Sequence, residues 1–191
     1  ALRAFAQVFD VYPAAQFWLV GQGAEESRLK ALVQQLSLES AGPAFAEAVR
    51  FLGPKPPSDV PGYMAAADAL ILASESEGWA NVVLEAAACG TPVVASPAGA
   101  SQEIITHKTH GYIVSTGQPE AYAKAIIKQF SRLGFEKAGG HGLLSSEQTE
   151  RSSLRAEAAA LVRARAQDFS WAETSQGLWQ LFSRIKAETS Q

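Results

Sequence analysis

Residues 69–96 read ALILASESEGWANVVLEAAACGTPVVAS, and this stretch decides the fold class. Ala69-Leu70-Ile71-Leu72-Ala73 is a short, continuous apolar run, the mark of a strand buried on both faces. A polar loop follows, then a helix around Val82–Cys89 that stops at Gly90, a favoured residue just past a helix end. Thr91-Pro92-Val93-Val94-Ala95-Ser96 is the next apolar run of strand length. Strand, helix and strand in immediate succession form a βαβ unit, and buried strands in such units pair in parallel.

The same alternation extends in both directions. Leu2, Phe5, Phe9 and Tyr12 recur at helical spacing, so the chain is expected to open inside a helix that follows a strand. Pro13 breaks that helix, and Gln16-Phe17-Trp18-Leu19-Val20-Gly21 reads as a buried strand closed by Gly21 and Gly23. Leu29, Leu32, Val33 and Leu36 line one face of the next helix. A polar loop near Ser40–Pro43 then leads into a strand over Val49–Gly53. Proline fixes φ and removes donors, so Pro54-Lys55-Pro56-Pro57-Ser58 is irregular. A short helix over Tyr63–Ala67 precedes the opening stretch, and Gly111-Tyr112-Ile113-Val114 is a short last strand.

Residues 134–150 turn to Gly, Ser and charge and read as an exposed loop or insertion. C-terminal helices are expected over 151–187. The first carries Leu154, Ala158, Leu161 and Val162, with Arg151, Arg155, Arg163 and Arg165 forming a solvated face. The second opens at Ser170 with Glu173 three residues on, a capping box, and presents Leu178, Leu181, Phe182 and Ile185. The expectation is one α/β domain over 1–191, a Rossmann-like three-layer arrangement around a mainly parallel sheet.

Composition excludes several classes. Of 191 residues, 47% are hydrophobic and 18% charged, which fits a folded domain rather than a disordered chain. Sixteen Lys and Arg against 19 Asp and Glu give a net charge of −3, with no basic surplus for a nucleic-acid surface. The single cysteine, Cys89, forbids an intrachain disulfide and a cysteine-rich zinc site and fits a reducing compartment. No apolar run reaches the roughly 18–20 residues of a membrane span.

The chemistry concentrates between Ser74 and Gln102. Glu77 and Glu85 bracket Gly78 and Asn81. A helix beginning near Asn81 leaves its early amides unpaired at the positive end of the helix dipole, a seat for phosphate or diphosphate. Gly78 lets the backbone approach a ligand closely. The place would be the C-terminal end of the strand Ala69–Ala73, where open α/β sheets bind ligands. Glu85 stands among apolar neighbours in Val82-Val83-Leu84-Glu85-Ala86-Ala87-Ala88, with no cation three or four residues away. Two readings stay open from spacing alone. The carboxylate accepts the vicinal hydroxyls of a ribose, or it lies on a narrow exposed stripe or grips a backbone amide.

Other groups read as structural. His107, His110 and His141 have no acidic or cysteine partners at ligand spacing, so they are surface histidines and no metal site is expected. Gly21-Gln22-Gly23 opens like a dinucleotide fingerprint, but Glu26 holds the place of the third glycine. Ser74 and Ser76 lack a nucleophile elbow, and Cys89 is a small buried residue.

In combination, VGQG before a helix with a leucine-rich face, RFLG, and YMAAADALILASESEGWANVVLEAAACGTPVVAS resemble family-4 glycosyltransferases of the GT-B architecture. The match covers roughly Leu2 to Ala125, and the helix containing Phe169-Ser170-Trp171 resembles that family's C-terminal helix. The resemblance is to the C-terminal, donor-binding half of a two-domain enzyme, so it implies that the first strand and an N-terminal acceptor domain lie outside these residues. The family's diphosphate-neutralising Arg and Lys would likewise precede Ala1, and weak donor binding by residues 1–191 alone is the expectation.

What the resemblance implies for the site is specific. Glu85 would hold the ribose of a nucleotide-sugar, and the amides of Asn81 and Val82 would meet its diphosphate. Amides near Trp79 and Ala80, beside Gly78, would meet the sugar, with Glu77 as the catalytic carboxylate at the anomeric centre. Leu52, Gly53, Pro54 and Lys55 would line the nucleobase pocket, Lys55 standing where the family is usually apolar. Ala98-Gly99-Ala100-Ser101-Gln102-Glu103 resembles the family's glycine-rich turn, with Glu103 structural. The implied reaction is retaining, hexosyl-type transfer from a UDP-, GDP- or ADP-sugar to an acceptor hydroxyl, without metal or other cofactor. The acceptor would be a saccharide or a lipid-linked group brought by the missing domain, in the cytoplasm or at the inner face of a membrane that the parent touches peripherally. Two alternatives are a non-catalytic nucleotide-sugar-binding or interaction module and a GT-B-like sugar-nucleotide epimerase.

Overall fold

The structure is a computed structural model and describes residues 1–136 and 145–169. In chain order its elements are α1 (Leu2–Val11), β1 (Phe17–Val20), α2 (Glu26–Leu36), α3 (Pro43–Ala48), β2 (Val49–Gly53), α4 (Val60–Ala66) and β3 (Leu70–Leu72). There follow α5 (Asn81–Ala88), β4 (Val93–Ala95), α6 (Ser101–Ile104), β5 (Gly111–Ile113), α7 (Pro119–Arg132) and α8 (Ser145–Gln167).

Every strand pairing among the described residues is parallel. β1 pairs with β2, and β4 lies between β3 and β5 in register Leu70–Val93–Gly111. The expected parallel sheet is therefore present as two ladders, and among the described residues no pairing joins β1 to β3. One apolar layer nevertheless underlies both. Phe17, Leu19 and Phe51 from the first ladder share a cluster with Ile71, Val94 and Tyr112 from the second, beneath α1, α2, α3 and α7. Alternate strand residues point the other way, so Leu70, Leu72, Val93, Ala95 and Ile113 meet Met64 of α4, Val83 of α5, Ile104 of α6 and Val162 of α8. Helices thus cover both faces, giving the three-layer α/β fold that the sequence indicates.

The first layer is centred on aromatic rings. Phe5 stacks on Phe17 at 5.2 Å between centroids, and Phe45 meets Phe5 at 5.7 Å and Phe9 edge-on at 5.8 Å. Leu2, Phe5, Phe9 and Tyr12, the residues of helical spacing, are all buried on this side.

Four expectations need correction. The loop near Ser40–Pro43 is instead a π-helical turn over Ser37–Ala41 followed by α3. The Ser37 hydroxyl donates to the Gly42 carbonyl, and Pro43 pre-sets φ for the first turn of α3, too short for its periodicity to show. Helix α7 was not anticipated at all, although Tyr122, Ala125, Ile126 and Gln129 give it a buried face at i, i+3, i+4 and i+7. Residues 134–150 are not loop throughout, because α8 already begins at Ser145. Strong helix formers such as Glu147, Gln148 and Glu150 outweigh the serines there.

The fourth correction concerns Arg155, Arg163 and Arg165 of α8, which make contacts to other elements rather than forming a purely solvated face. Arg155 pairs with Asp68 at 2.8 Å, and Arg165 donates to the carbonyls of Glu103 and Ile104. Arg163 approaches the Cys89 carbonyl at 3.5 Å. The carbonyls at the ends of α5 and α6 carry the negative ends of the helix dipoles, so cations settle there. The expected capping box at Ser170 and Glu173, the apolar face from Leu178 to Ile185, the site of His141 and the Ser170-Trp171 signature all lie outside the described residues. Among the described residues, no helix is long and apolar enough to cross a membrane.

Phe45 is fully buried among Phe5 and Phe9, so Phe45→Ala should cost about 3–5 kcal/mol and lower the melting temperature by roughly 6–20 °C. Thermal unfolding followed by circular dichroism checks this, and a change under about 2 °C would contradict the packing described.

Candidate functional site

The loop leaving β3 is tied to the end of β4. The Ser96 amide donates to the Leu72 carbonyl at 2.9 Å, and the Ser96 hydroxyl to the Ser74 carbonyl at 2.6 Å. The Ser74 hydroxyl in turn donates to Glu77 Oε1 at 2.7 Å, which orients that carboxylate. Glu77 and Gly78 are exposed, and the space about Gly78 is open. This places the loop at the C-terminal ends of two adjacent parallel strands, where such sheets present their ligands.

Helix α5 starts abruptly. Ala80 has a left-handed φ of +60°, a conformation that costs an alanine about 1–2 kcal/mol, and it is the one non-glycine residue with positive φ among those described. The neighbouring turn holds it there. The Ala100 amide donates to the Trp79 carbonyl at 3.2 Å, and Gly99 lies so close that a Cβ would fall 2.9 Å from the Trp79 carbonyl carbon. Within Ala98–Glu103, expected as a glycine-rich turn, α6 occupies the second part, and the exposed Glu103 offers its carbonyl to Arg165.

No side chain caps α5. The Val83 amide donates to the Ala80 carbonyl at 2.9 Å, while the amides of Asn81 and Val82 make no hydrogen bond among the described residues. A helix start with free donors and a positive dipole end attracts an anion. Asn81, Glu85 and Ala88 form the exposed stripe of α5 at i, i+4 and i+7, whereas Val83, Ala86 and Ala87 are buried. Glu85 is therefore an exposed carboxylate on that stripe, accessible to solvent and to a ligand alike. Its apolar neighbours Val83, Ala86 and Ala87 point inward, so no burial cost obliges Glu85 to find a partner within the chain. Burial, followed by the charge of Glu85, pushes the Cys89 thiol up, which keeps it protonated and suits a packing role.

Leu52 and Gly53 close β2, with the Gly53 carbonyl accepting from the Gly21 amide at 2.9 Å. Pro54 is exposed, and the Lys55 ammonium sits 5.7 Å from the centre of the Tyr63 ring, which meets Trp18 edge-on at 6.1 Å. The structure thus brings Glu77 through Glu85 together around one helix start. It places Leu52–Lys55 at the end of a strand in the other ladder, and no hydrogen bond or ring contact joins the two groups. His107 and His110 lie 6.1 Å apart in a turn with Thr106 and Thr109 as partners, and no group of three His, Cys, Asp or Glu residues suited to a metal ion occurs among the described residues. The clamp of Gly99 on Trp79 and Ala80 gave no signal beyond a glycine between alanines.

Gly99 itself has φ +55°, so Gly99→Ala adds both strain and a backbone clash. It should lower stability by about 1–2 kcal/mol and speed amide exchange at Trp79–Val83 while Val93–Ala95 stay protected. Hydrogen exchange read by mass spectrometry checks this, with uniform loss of protection as the contrary result.

Residues 1–132 match the family model described as Glycosyl transferases group 1. A D-inositol 3-phosphate glycosyltransferase of Corynebacterium urealyticum is 30% identical over 191 residues, covering 96% of this chain and 39% of that protein. Among solved structures, sucrose-phosphate synthase from Thermosynechococcus elongatus superposes with TM-score 0.67 at 25% identity, covering 98% of this chain and 42% of that one. HepE of Anabaena, crystallised in complex with UDP-glucose, superposes with TM-score 0.61 at 26% identity, covering 96% and 44%. The chain therefore spans less than half the length of each of these proteins. The parallel α/β layers and the matched residues agree with the GT-B likeness drawn from the motifs: this chain belongs to the Glycosyl transferases group 1 family.

Proposed function

We propose that this chain is the donor-binding half of a retaining glycosyltransferase, holding a nucleotide-sugar whose hexosyl group passes to an acceptor hydroxyl. The observation that carries the reading is the start of α5, where the Asn81 and Val82 amides are free and the carboxylates of Glu77 and Glu85 stand exposed on either side in sequence. The two amides take the diphosphate, and the dipole of α5 adds to their attraction. Glu85, one turn into the helix, accepts both vicinal hydroxyls of the ribose. The amides of Trp79 and Ala80 face the sugar, and open space at Gly78 leaves room for it.

In this reading bond breaking moves negative charge onto the diphosphate, which the helix start is already arranged to receive, with no metal or cofactor required. Glu77, oriented by Ser74, stabilises the positive charge that develops at the anomeric carbon. Leu52, Gly53, Pro54 and Lys55 border the base. UDP is the nucleotide to expect first, because HepE was crystallised with UDP-glucose and is 26% identical. The acceptor is a saccharide or lipid-linked hydroxyl presented by a separate domain, in the cytoplasm or at the inner face of a membrane.

Calorimetric titration of the full-length protein with UDP, GDP and ADP tests the seat. Glu85→Ala removes hydrogen bonds to a charged acceptor and should weaken nucleotide binding by roughly 10- to 150-fold. Glu77→Gln should lower kcat by about 100-fold or more while donor affinity changes by less than about threefold. Unchanged affinity in Glu85→Ala would remove the ribose role, and absence of binding by all three nucleotides would remove the function.

A further inference from the structure

Behind the start of α5 lies a chain of contacts that ends on α8. The Arg165 side chain, 24% exposed, donates through Nε to the Ile104 carbonyl at 3.4 Å and through a terminal nitrogen to the Glu103 carbonyl, the last carbonyls of α6. It also pairs with Asp168 at 2.7 Å and lies over the Phe169 ring at 4.8 Å. Four contacts on one guanidinium fix its plane, which a lysine cannot reproduce.

Helix α6 is a single turn, so what holds one end sets the other. Ser101 and Ile104 are buried, and the Ser101 hydroxyl donates to the Ala98 carbonyl at 2.7 Å, which closes the turn containing Gly99. That turn presses on Trp79 and donates to its carbonyl, and Ala80 keeps its left-handed backbone beside it. A strained residue persists only while its surroundings over-determine it. When α6 loosens, Ala80 relaxes, and the Asn81 and Val82 amides turn away.

The turn after α6 brings His110 to this point: a ring nitrogen lies 3.4 Å from the Thr106 hydroxyl, two residues past the Ile104 carbonyl that Arg165 holds, and its ring is 6.1 Å from that of His107. Arg165, in the last turn of α8, and Asp168, just beyond its end, act on His110 electrostatically, and the exposed Glu103 and Lys108 are the other charged residues of this segment. A proton on the His110 ring adds positive charge that interacts with a guanidinium unable to lose its own.

We propose that Arg165 is a positioning residue for the donor seat, bracing the start of α5 through α6, and that protonation of His110 loosens this brace. The proposal rests on the reading of α5 as the donor seat. Burial, then Arg165 and His107, hold the His110 imidazole below its usual value, with Asp168 acting in the opposite sense. A group held neutral in the folded state stabilises it at neutral pH, and that contribution is lost as pH falls below about 6.5.

The test is amide exchange at Trp79–Val83 in the full-length protein at pH 7.5 and 5.5, corrected for the intrinsic pH dependence. UDP affinity is measured on the same samples. Arg165→Ala should speed that exchange and weaken UDP binding by about two- to thirty-fold, and Arg165→Lys should recover part of both. The wild type should loosen further at pH 5.5, and His110→Asn should remove that extra loosening. Comparison at one pH cancels the proton that UDP itself takes up near pH 6. Exchange accelerated only within α8 in Arg165→Ala overturns the brace, and an identical pH response in wild type and His110→Asn overturns its acid sensitivity. If UDP fails to bind at either pH while exchange at Trp79–Val83 follows Arg165, the donor reading fails and the brace stands.

Discussion

Val93, Val94 and Ala95 are 1%, 0% and 0% exposed, and that degree of burial dictates where every polar group of this fold can go. A strand with helices on both faces has no use for polar side chains along its length, and its backbone must be saturated by neighbours on both sides. β3 and β5 supply those neighbours in register. Chemistry is thereby displaced to the strand ends, where the chain leaves the layer and turns into the next helix. The Ser74–Ala80 loop and the Ala98–Ser101 turn are two such exits, side by side because β3 and β4 are paired.

The two exits stabilise each other in a way neither manages alone. A loop carrying two glutamates close together, Glu75 and Glu77, would wander if nothing fixed it. Ser96 and Ser74 pin its first part, and Ala100 with Gly99 pins its last. The outcome is a helix start without a cap of its own, whose two free amides form a site of fixed direction. Under the proposed reading, rigidity of this kind would let a few partial charges act on a leaving group without first having to reorganise.

Much of the fold was legible because short apolar runs between helices admit few arrangements. β2 falls on the expected Val49–Gly53, and β1, β3, β4 and β5 lie within the expected runs. What escaped did so for local reasons. α3 is too brief to display a period, and α7 carries a clean period but follows the last strand, where the motifs had already ended. Arg155, Arg163 and Arg165 misled because charge at helical spacing usually faces water, and only tertiary contacts reveal that the first pairs with Asp68 and the other two reach the carbonyl ends of other helices. For the site, the grouping of Glu77 to Glu85 around a helix start was readable from residue types. The exposure of Glu85 was not, since Ala-rich neighbours look alike on the buried and solvent sides of a helix. The strain at Ala80 had no sequence mark at all.

The separation of the sheet into two ladders bears on how these residues behave in company. β1 and β3 each keep one edge of backbone donors and acceptors without a strand partner among the described residues, and Trp18 and Val20 beside the first edge are 42% and 40% exposed. β1 and β3 carry neither a lysine nor a proline to discourage pairing, the usual safeguards on an open edge. An edge of this kind is open to pairing with any extended segment of backbone brought alongside it.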